Sequence, residues 1–250
     1  MKMILTLCAA GALLASNSNN ESPGPVNPPM GSVAGKVMFE GDRPKALPDL
    51  APKEEELKGC HHDGHAMDKS DRTLLIDDKG GVANVVVLIE VKGAEVKPRT
   101  EPIVMDQRSC RFEPHVQVAR VGETVRFLNS DGTNHNIHTY AKKNKNINNN
   151  VAGGSNYDMT VEKEEMIKIG CDIHPWMGSY LVVTEATHFA ISKADGTFQI
   201  PDLPAGTYKA EYWHETLGKG KADVTVEEGK AASLEIKLSA AKKKKGGRRR

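Results

Sequence analysis

Apolar and polar residues alternate along this chain in short runs, a period that predicts β-strands rather than helices. The clearest run is Val82–Val91, which is rich in β-branched side chains and follows the turn Asp77–Gly81. Shorter runs recur from residue 31 to residue 238, separated by Gly, Pro, Asn and Asp, the residues that favour turns. Aromatic residues make up only 5% of the chain. The pattern predicts an all-β protein.

The middle of the chain, residues 101–186, carries a set of predicted strands of its own. Between them the polar segment Lys142–Tyr157, rich in Asn and Gly, is predicted to be a loop. The predicted strands of this block are Ile103–Met105, Val116–Ala119, Glu123–Leu128, Met166–Ile169 and Tyr180–Val183. This block therefore predicts a β-domain of its own.

The residues on either side of this block resemble a different family. Asp195–Tyr208 reads Asp-Gly-Thr-Phe-Gln-Ile-Pro-Asp-Leu-Pro-Ala-Gly-Thr-Tyr and resembles the carboxypeptidase regulatory-like, transthyretin-like β-sandwiches. The opening strands of that family are matched by residues 31–37 and Ala83–Leu88. We therefore expect one sandwich from residues 31–100 and 187–238, with residues 101–186 inserted in a surface loop. A serial arrangement of three pieces is the alternative.

The two ends of the chain differ from the body in composition. Residues 1–18 have the layout of a secretory signal, a short apolar run after Lys2, and residues 19–30 form a Pro-rich linker. Lipidation at Cys8 is an alternative to simple cleavage. Residues 239–250 are expected to be a basic disordered tail, or else a tether to an anionic surface.

The net charge of +1 depends on that tail. The tail carries seven of the 34 basic residues, and without it 27 basic residues stand against 33 acidic ones. The body has no basic stripe with interleaved aromatics, so we expect no binding to nucleic acid. From the secretory signal at residues 1–18, we expect the protein to be periplasmic or on the cell surface.

The segment Cys171–Met177 places a thiol, an imidazole and a thioether on one short loop. It reads Cys-Asp-Ile-His-Pro-Trp-Met. Sulfur ligands with imidazole select copper, and two His and one Cys with a weak axial Met suit both of its oxidation states. The loop lacks one imidazole. His135 and His138, in the segment that follows the strand Val125–Leu128, are the candidates for it.

These residues resemble the cupredoxin family, and within it the amicyanins. The resemblance is carried by Cys-x-x-His-Pro-Trp-Met at 171–177, His-Asn-Ile-His at 135–138, Phe-x-Pro at 112–114 and Val-Gly-Glu-Thr-Val at 121–125. It implies a Greek-key β-sandwich over residues 101–186 and one type 1 copper ion. The metal ligands that it implies are His135, Cys171, His174 and Met177.

The resemblance also implies a function and a route for the electron. Asn136 would link the two ligand loops, and the electron would pass through an exposed edge of His174. We expect a monomeric one-electron carrier rather than an enzyme. Its partners would be exported redox proteins such as a cytochrome or a dehydrogenase. Copper storage or delivery, and a non-redox adhesive module, are the alternatives.

A second cluster reads Cys-His-His-Asp-Gly-His-Ala-Met over residues 60–67. Two interpretations stay open: a disulfide cysteine followed by a polar loop, or an auxiliary copper site formed by Cys60, His61, His62 and His65. If Cys171 binds metal, Cys60 and Cys110 are free to pair, and an oxidising compartment would permit that disulfide. His115, His188 and His214 are expected to be structural.

Overall fold

The computed structural model describes residues 29–45, 47–61, 64 and 67–240, and their regular secondary structure is almost entirely β-strand. Sixteen strands and one short 3-10 helix, Glu54–Leu57, form the regular structure of this part of the chain. The prediction of an all-β protein is confirmed. The strands are β1 Gly31–Phe39, β2 Val86–Ile89, β3 Ile103–Arg108, β4 Arg111–Glu113, β5 Val116–Arg120, β6 Thr124–Asn129, β7 His135–Thr139, β8 Asn148–Val151, β9 Asn156–Thr160, β10 Glu165–Gly170, β11 Gly178–Thr184, β12 His188–Ile191, β13 Thr197–Leu203, β14 Gly206–His214, β15 Gly218–Val226 and β16 Ala231–Leu238.

Two of the four sheets share one hydrophobic core and form what we call the outer sandwich. Their strand orders are β13-β1-β16 and β12-β2-β14-β15. Strand β1 pairs antiparallel with β13 and parallel with β16, with Ser32 opposite Ala231 and Phe39 opposite Leu238. The first and last described strands are therefore neighbours.

The other two sheets form the inner sandwich, which contains strands β3–β11. Their strand orders are β5-β11-β10-β7-β8 and β4-β3-β6-β9. Alternate side chains of these strands point inward and build a second core, in which Phe112, Phe127, Ile137 and Ile169 are buried. This core surrounds one end of β7 and β10, where the candidate ligands lie.

The chain passes from the outer sandwich to the inner one and back between two adjacent strands. Strands β2 and β12 pair antiparallel, with Ile89 opposite His188. All of the inner sandwich lies in sequence between these two residues. It therefore begins and ends at neighbouring points of the outer sandwich.

A third apolar cluster joins the two sandwiches. Its buried members are Val86, Val116, Val118 and Val182. Beside it the guanidinium of Arg120 lies 4.9 Å from the centre of the Phe189 ring, and the His115 imidazole contacts the carboxylate of Glu215. The sandwiches are therefore held together by packed side chains as well as by the two connections.

The predicted strand Val82–Val91 is shorter in the structure, which has only Val86–Ile89 as a strand. Asn84 has a φ of 62°, in the left-handed region, so the extended backbone is interrupted there. Val82 forms an isolated bridge with Ile76 instead. The prediction was right about the element and wrong about both of its ends.

The prediction of a loop over Lys142–Tyr157 was wrong in part. Residues Asn148–Val151 form β8, which pairs with β7 from His135 opposite Val151 to His138 opposite Asn148. Asparagine has a low intrinsic preference for strands, but the ladder to β7 supplies partners for the backbone. Strand β8 covers the outer edge of β7.

The excursion before β2 packs against the inner sandwich. We call residues 47–61 and 67–72 the cap segment. Leu50, Leu57, Cys60 and Met67 contact or join the core of the inner sandwich, and Cys60 forms a disulfide with Cys110. The cap segment therefore lies over the end of the sandwich where β4 begins.

Within the described part of the chain, no helix has the length and apolar character needed to cross a membrane. The predicted signal, residues 1–18, and most of the predicted linker and tail lie outside the described residues.

Candidate metal centre

The candidate ligands lie where β7 begins and where β10 turns into β11. Strands β10 and β11 pair antiparallel, and Gly170 opposite Gly178 closes the base of the loop between them. Strand β7 runs beside β10 with His138 opposite Gly170. If this antiparallel register is continued beyond Gly170, His135 lies beside the loop that joins β10 to β11. Residues that are distant in sequence are thus brought together by strand pairing.

A thiol and two imidazoles meet in a buried cluster. His135 Nδ1 lies 2.9 Å from His174 Nδ1, and Cys171 Sγ lies 3.9 Å from the same His174 nitrogen. One donor atom from each of these three residues fits within 4.8 Å of the others. All three side chains are buried. The structure thus brings together three of the four predicted ligands.

Met177, the fourth predicted ligand, is buried in the same core cluster as Cys171. Its backbone N–H donates a hydrogen bond of 2.9 Å to the carbonyl oxygen of His174, which closes the loop into a turn. The loop therefore turns its thioether residue inward rather than into solvent.

Asp131 is a site residue that the sequence did not indicate. His135 Nε2 lies 2.8 Å from the buried carboxylate of Asp131. The same carboxylate accepts hydrogen bonds from the backbone N–H groups of Ser109 and Cys110, at 2.6 and 2.7 Å. Nothing in the sequence distinguishes Asp131 from a solvent-exposed turn residue.

Asn136 connects β7 to the ligand loop. Its side-chain oxygen accepts hydrogen bonds from the backbone N–H groups of Asp172, at 2.6 Å, and Ile173, at 3.3 Å. Its own backbone N–H donates to Cys171 Sγ at 3.4 Å. This is the linking position that the resemblance implies, and the contact also stabilises negative charge on the sulfur.

The electrostatic surroundings favour an ionised thiol. Burial opposes the charge, but hydrogen bonds with His135 and His174 and from the Asn136 backbone lower the pKa of Cys171 to about 6. Burial likewise disfavours the charged form of His135, yet hydrogen bonds with Asp131 and Cys171 raise its pKa. A thiolate is the form of cysteine that binds metals.

The donor set fits copper. The set combines soft and borderline donors: one thiol with a lowered pKa, two imidazoles and a buried thioether residue. The Asp131 carboxylate accepts a hydrogen bond from the Nε2–H of His135, so the neutral imidazole keeps its lone pair on Nδ1, the nitrogen that lies 2.9 Å from His174. The described residues therefore offer donors of the kinds that copper favours.

The expectation of an exposed His174 edge was wrong. The residue is only 5% exposed. Three atoms lie within 4.8 Å of one another: a ring nitrogen of His174 and the sulfurs of Cys60 and Cys110. The centre of the Trp176 ring lies 5.1 Å from the centre of the His174 ring. The disulfide therefore holds the cap segment beside His174 and helps to bury that residue.

The other histidines of the inner sandwich and its interface lie outside this cluster. His138 is directed away from it, with Nδ1 2.9 Å from Asp172 and its ring stacked on Tyr140. His214 is buried and accepts backbone N–H donors, and His115 pairs with Glu215 across the two sandwiches. These contacts are structural.

The second sequence cluster is described only in part. Cys60 is bonded to Cys110, Met67 is buried and His61 is exposed. His62, Asp63, His65 and Ala66 lie outside the described residues.

Known copper proteins of the cupredoxin class show a weak structural similarity to this chain. A mutant of amicyanin in its Cu(I) form is 22% identical, with a TM-score of 0.31, over 39% of this chain and 98% of amicyanin. A second amicyanin mutant, in its reduced state, is 24% identical over the same shares, also with a TM-score of 0.31.

A copper-containing nitrite reductase from Thermus scotoductus SA-01 is 23% identical, with a TM-score of 0.33. The match covers 39% of this chain but only 25% of that enzyme, so the chain spans about a quarter of its length. No family model and no curated protein sequence matches the chain. Because these similarities are weak, any function of this chain rests on its own residues.

Proposed function

We propose that this chain is an exported type 1 copper protein that carries single electrons between redox partners. The observation that supports this most strongly is the convergence of His135, Cys171 and His174 within 4.8 Å in a buried site. Met177 supplies the fourth donor from the same loop. Bound there, copper supplies a one-electron couple between Cu(II) and Cu(I).

The protein residues prepare the site before any metal enters it. Asp131 fixes the orientation and tautomer of His135. The backbone N–H of Asn136 and the two imidazoles favour the thiolate of Cys171. Buried and held by hydrogen bonds, these groups need little rearrangement when the charge of the site changes by one unit.

Trp176 provides the route from the site to the surface in this proposal. Its ring lies 5.1 Å from that of the covered His174, and it is half-buried, lining a cavity of about 430 Å³ together with Tyr140 and Tyr180. The indole N–H donates to the carbonyl oxygen of Cys110 at 3.2 Å, which fixes the ring. A redox partner would dock against this cavity.

The test is an optical and paramagnetic-resonance spectrum of the copper-loaded, oxidised protein. We expect an intense visible absorption from the copper–thiolate bond, and we expect Cys171→Ser to abolish it. His138→Gln is the matched control, because His138 is close in sequence but contacts Asp172 instead of the cluster. Its spectrum should equal that of the unaltered chain.

Copper-loaded protein that stays colourless when oxidised would refute the electron-carrier proposal. Equal loss of colour in His138→Gln and Cys171→Ser would show that the ligands are assigned wrongly.

The remaining parts of the proposal concern the whole chain. Residues 31–100 and 187–238 would form a transthyretin-like sandwich that carries the copper domain, residues 101–186. Export is supported by the disulfide Cys60–Cys110, since such bonds persist in oxidising compartments. The partners would be a cytochrome or a dehydrogenase. The basic tail would act as a peripheral tether. The chain itself would not be an enzyme.

A further inference from the structure

The disulfide Cys60–Cys110 lies directly beside the candidate ligands. Cys110 Sγ is 3.9 Å from His135 Nε2. Both sulfurs lie within 4.8 Å of a ring nitrogen of His174. Cys60 and Cys110 are buried. Together with Cys171, five donor residues from four segments of the chain are therefore gathered in one buried region of the inner sandwich.

We propose that reduction of this disulfide creates a second metal site, in which Cys60, Cys110 and His174 bind Cu(I). Two thiolates and one imidazole form a soft donor set that favours Cu(I). The disulfide form lacks the thiolates and cannot bind the ion in this way. The site goes beyond the proposed electron carrier, because it binds copper only in the reduced protein.

The reductant required is a dithiol, and the reaction balances. The dithiol gives two electrons and two protons, the Cys60–Cys110 bond breaks into two thiols, and the reductant becomes a disulfide. When Cu(I) binds, the two thiol protons are released to solvent.

Because the disulfide is buried, a reductant would reach it through local opening of the cap segment. Its backbone is held by a 3-10 turn and isolated hydrogen bonds, such as Leu50 N–H to Lys69 O and Cys60 N–H to Leu57 O. None of its described residues belongs to a strand. Segments held in this way open locally more readily than paired strands, and the opening brings Cys60 into solvent.

His174 is common to this group of donors and to the candidate type 1 group. A Cu(I) ion held by the two cysteines would therefore lie next to Cys171 and His135, and exchange of one ligand at a time would move it between sites. This arrangement suits the receipt or delivery of copper under reducing conditions.

The experiment uses the full-length chain with Cys171→Ser, which removes the thiolate of the type 1 site. The protein is treated with dithiothreitol, freed of it under argon, and titrated with Cu(I) against a chromophoric chelator. We expect reduction to expose two additional thiols and to add one tightly held copper ion per chain. The oxidised form of the same variant should lose its copper to the chelator.

The matched control is Cys171→Ser combined with Cys60→Ser and Cys110→Ser, which should show no gain on treatment with dithiothreitol. Circular dichroism of each variant establishes that it is folded. The proposal is overturned if the bond resists the dithiol, if reduction adds no copper, or if the gain persists without both cysteines. Because the variant lacks the thiolate of Cys171, the outcome is independent of whether the unaltered protein is blue.

Discussion

Asp131 decides which nitrogen of His135 faces the other donors. Its carboxylate accepts a hydrogen bond from Nε2 and is itself held by the backbone N–H groups of Ser109 and Cys110. A buried imidazole fixed in this way has one tautomer and one orientation, and such partners of metal-binding histidines strengthen metal affinity.

Replacing Asp131 should therefore weaken the site without removing a ligand. For Asp131→Asn we expect copper affinity to fall by roughly 10–100-fold, measured by competition with a Cu(I) chelator. Asp158→Asn is the control, because Asp158 is a surface carboxylate paired with Arg126 on the same sandwich. Unchanged affinity in Asp131→Asn would show that His135 is oriented by its packing alone.

At the residue scale, sequence predicted the ligands but not the residues that support or cover them. Cys171, His174 and Met177 lie on one short loop, so their proximity follows from spacing alone. Asp131 reaches His135 only because the turn after β6 folds back over the start of β7. The burial of His174 depends on Cys60, which is more than 100 positions away. Such contacts leave no local pattern.

At the scale of the elements, Asn136 makes β7 and the ligand loop a single unit. It accepts two backbone hydrogen bonds from the loop while its own backbone N–H contacts Cys171. The loop itself contains little regular structure, so these hydrogen bonds set its position relative to the strand.

Removing that side chain should loosen the loop. Asn136→Ala leaves two backbone donors without their acceptor, and we expect a loss of about 1–3 kcal/mol in the free energy of unfolding. Denaturant unfolding of the metal-free protein measures it. Asn150→Ala on the neighbouring β8 is exposed and should change the free energy by less than about 0.5 kcal/mol. Equal effects of the two changes would contradict this role of Asn136.

Glu123 connects the turn before β6 to the segment that follows β2. Burial raises its pKa, but hydrogen bonds from the Arg99 side chain and from the backbone N–H groups of Arg99 and Arg120 lower it to about 2. Arg99 is 2.8 Å from the Glu123 carboxylate, which is itself buried. The charged form is therefore strongly favoured in the folded state.

The stability of the protein should depend on pH through this carboxylate. The pKa of Glu123 is about 2 in the folded protein, whereas its ordinary value is 4.5. Its ionised form therefore stabilises the folded state above pH 4.5, and this stabilisation is lost as the pH falls towards 2. The contribution is on the order of 3 kcal/mol at neutral pH.

For Glu123→Gln we expect a less stable protein at pH 7, with a difference from the unaltered chain that shrinks on acidification. Urea unfolding at pH 7 and at pH 3 measures this. The exposed Glu162→Gln serves as the control. A difference that is the same at both pH values would contradict the assignment.

Sequence predicted five of the nine strands of the inner sandwich, those whose alternation matches the burial of one face, and missed β4, β7, β8 and β9. It failed where the fold supplied what local preference lacked. The Asn-rich β8 is a strand because it pairs with β7, and Val82–Val91 is interrupted because Asn84 adopts a left-handed conformation. Neither event is encoded in the spacing of apolar residues.

At the scale of the whole molecule, the two sandwiches share an apolar interface. Val86, Val116, Val118 and Val182 are buried between them, and Trp213 of the outer sandwich contacts Tyr180 of the inner one. Burial of this surface couples the stability of each sandwich to that of the other. These contacts could not be predicted from the sequence, because each residue belongs to an ordinary alternating strand.

The two tryptophans allow this coupling to be measured. Trp176 reports on the inner sandwich and Trp213 on the outer one, so Trp176→Phe and Trp213→Phe chains should each follow one of them by fluorescence. We expect coincident denaturant transitions. Val182→Asp, which buries a charge in the interface, should separate them.

Val104→Asp is the control for that separation, because Val104 is 43% exposed on β3. Its two transitions should remain coincident. Separate transitions in the chains that carry only a Trp→Phe change would show that the interface contributes no coupling.

The parallel pairing of β1 with β16 determines how the molecule would bear a mechanical load. Tension applied at residues 30 and 240 pulls the two strands in opposite directions along their length, so the whole ladder from Ser32 to Phe39 resists in shear. The inner sandwich is connected through Ile89 and His188, which are already adjacent, and stays outside the loaded path. The copper ligands would be shielded from stretching until the outer sandwich ruptures, an event set by its unfolding rate.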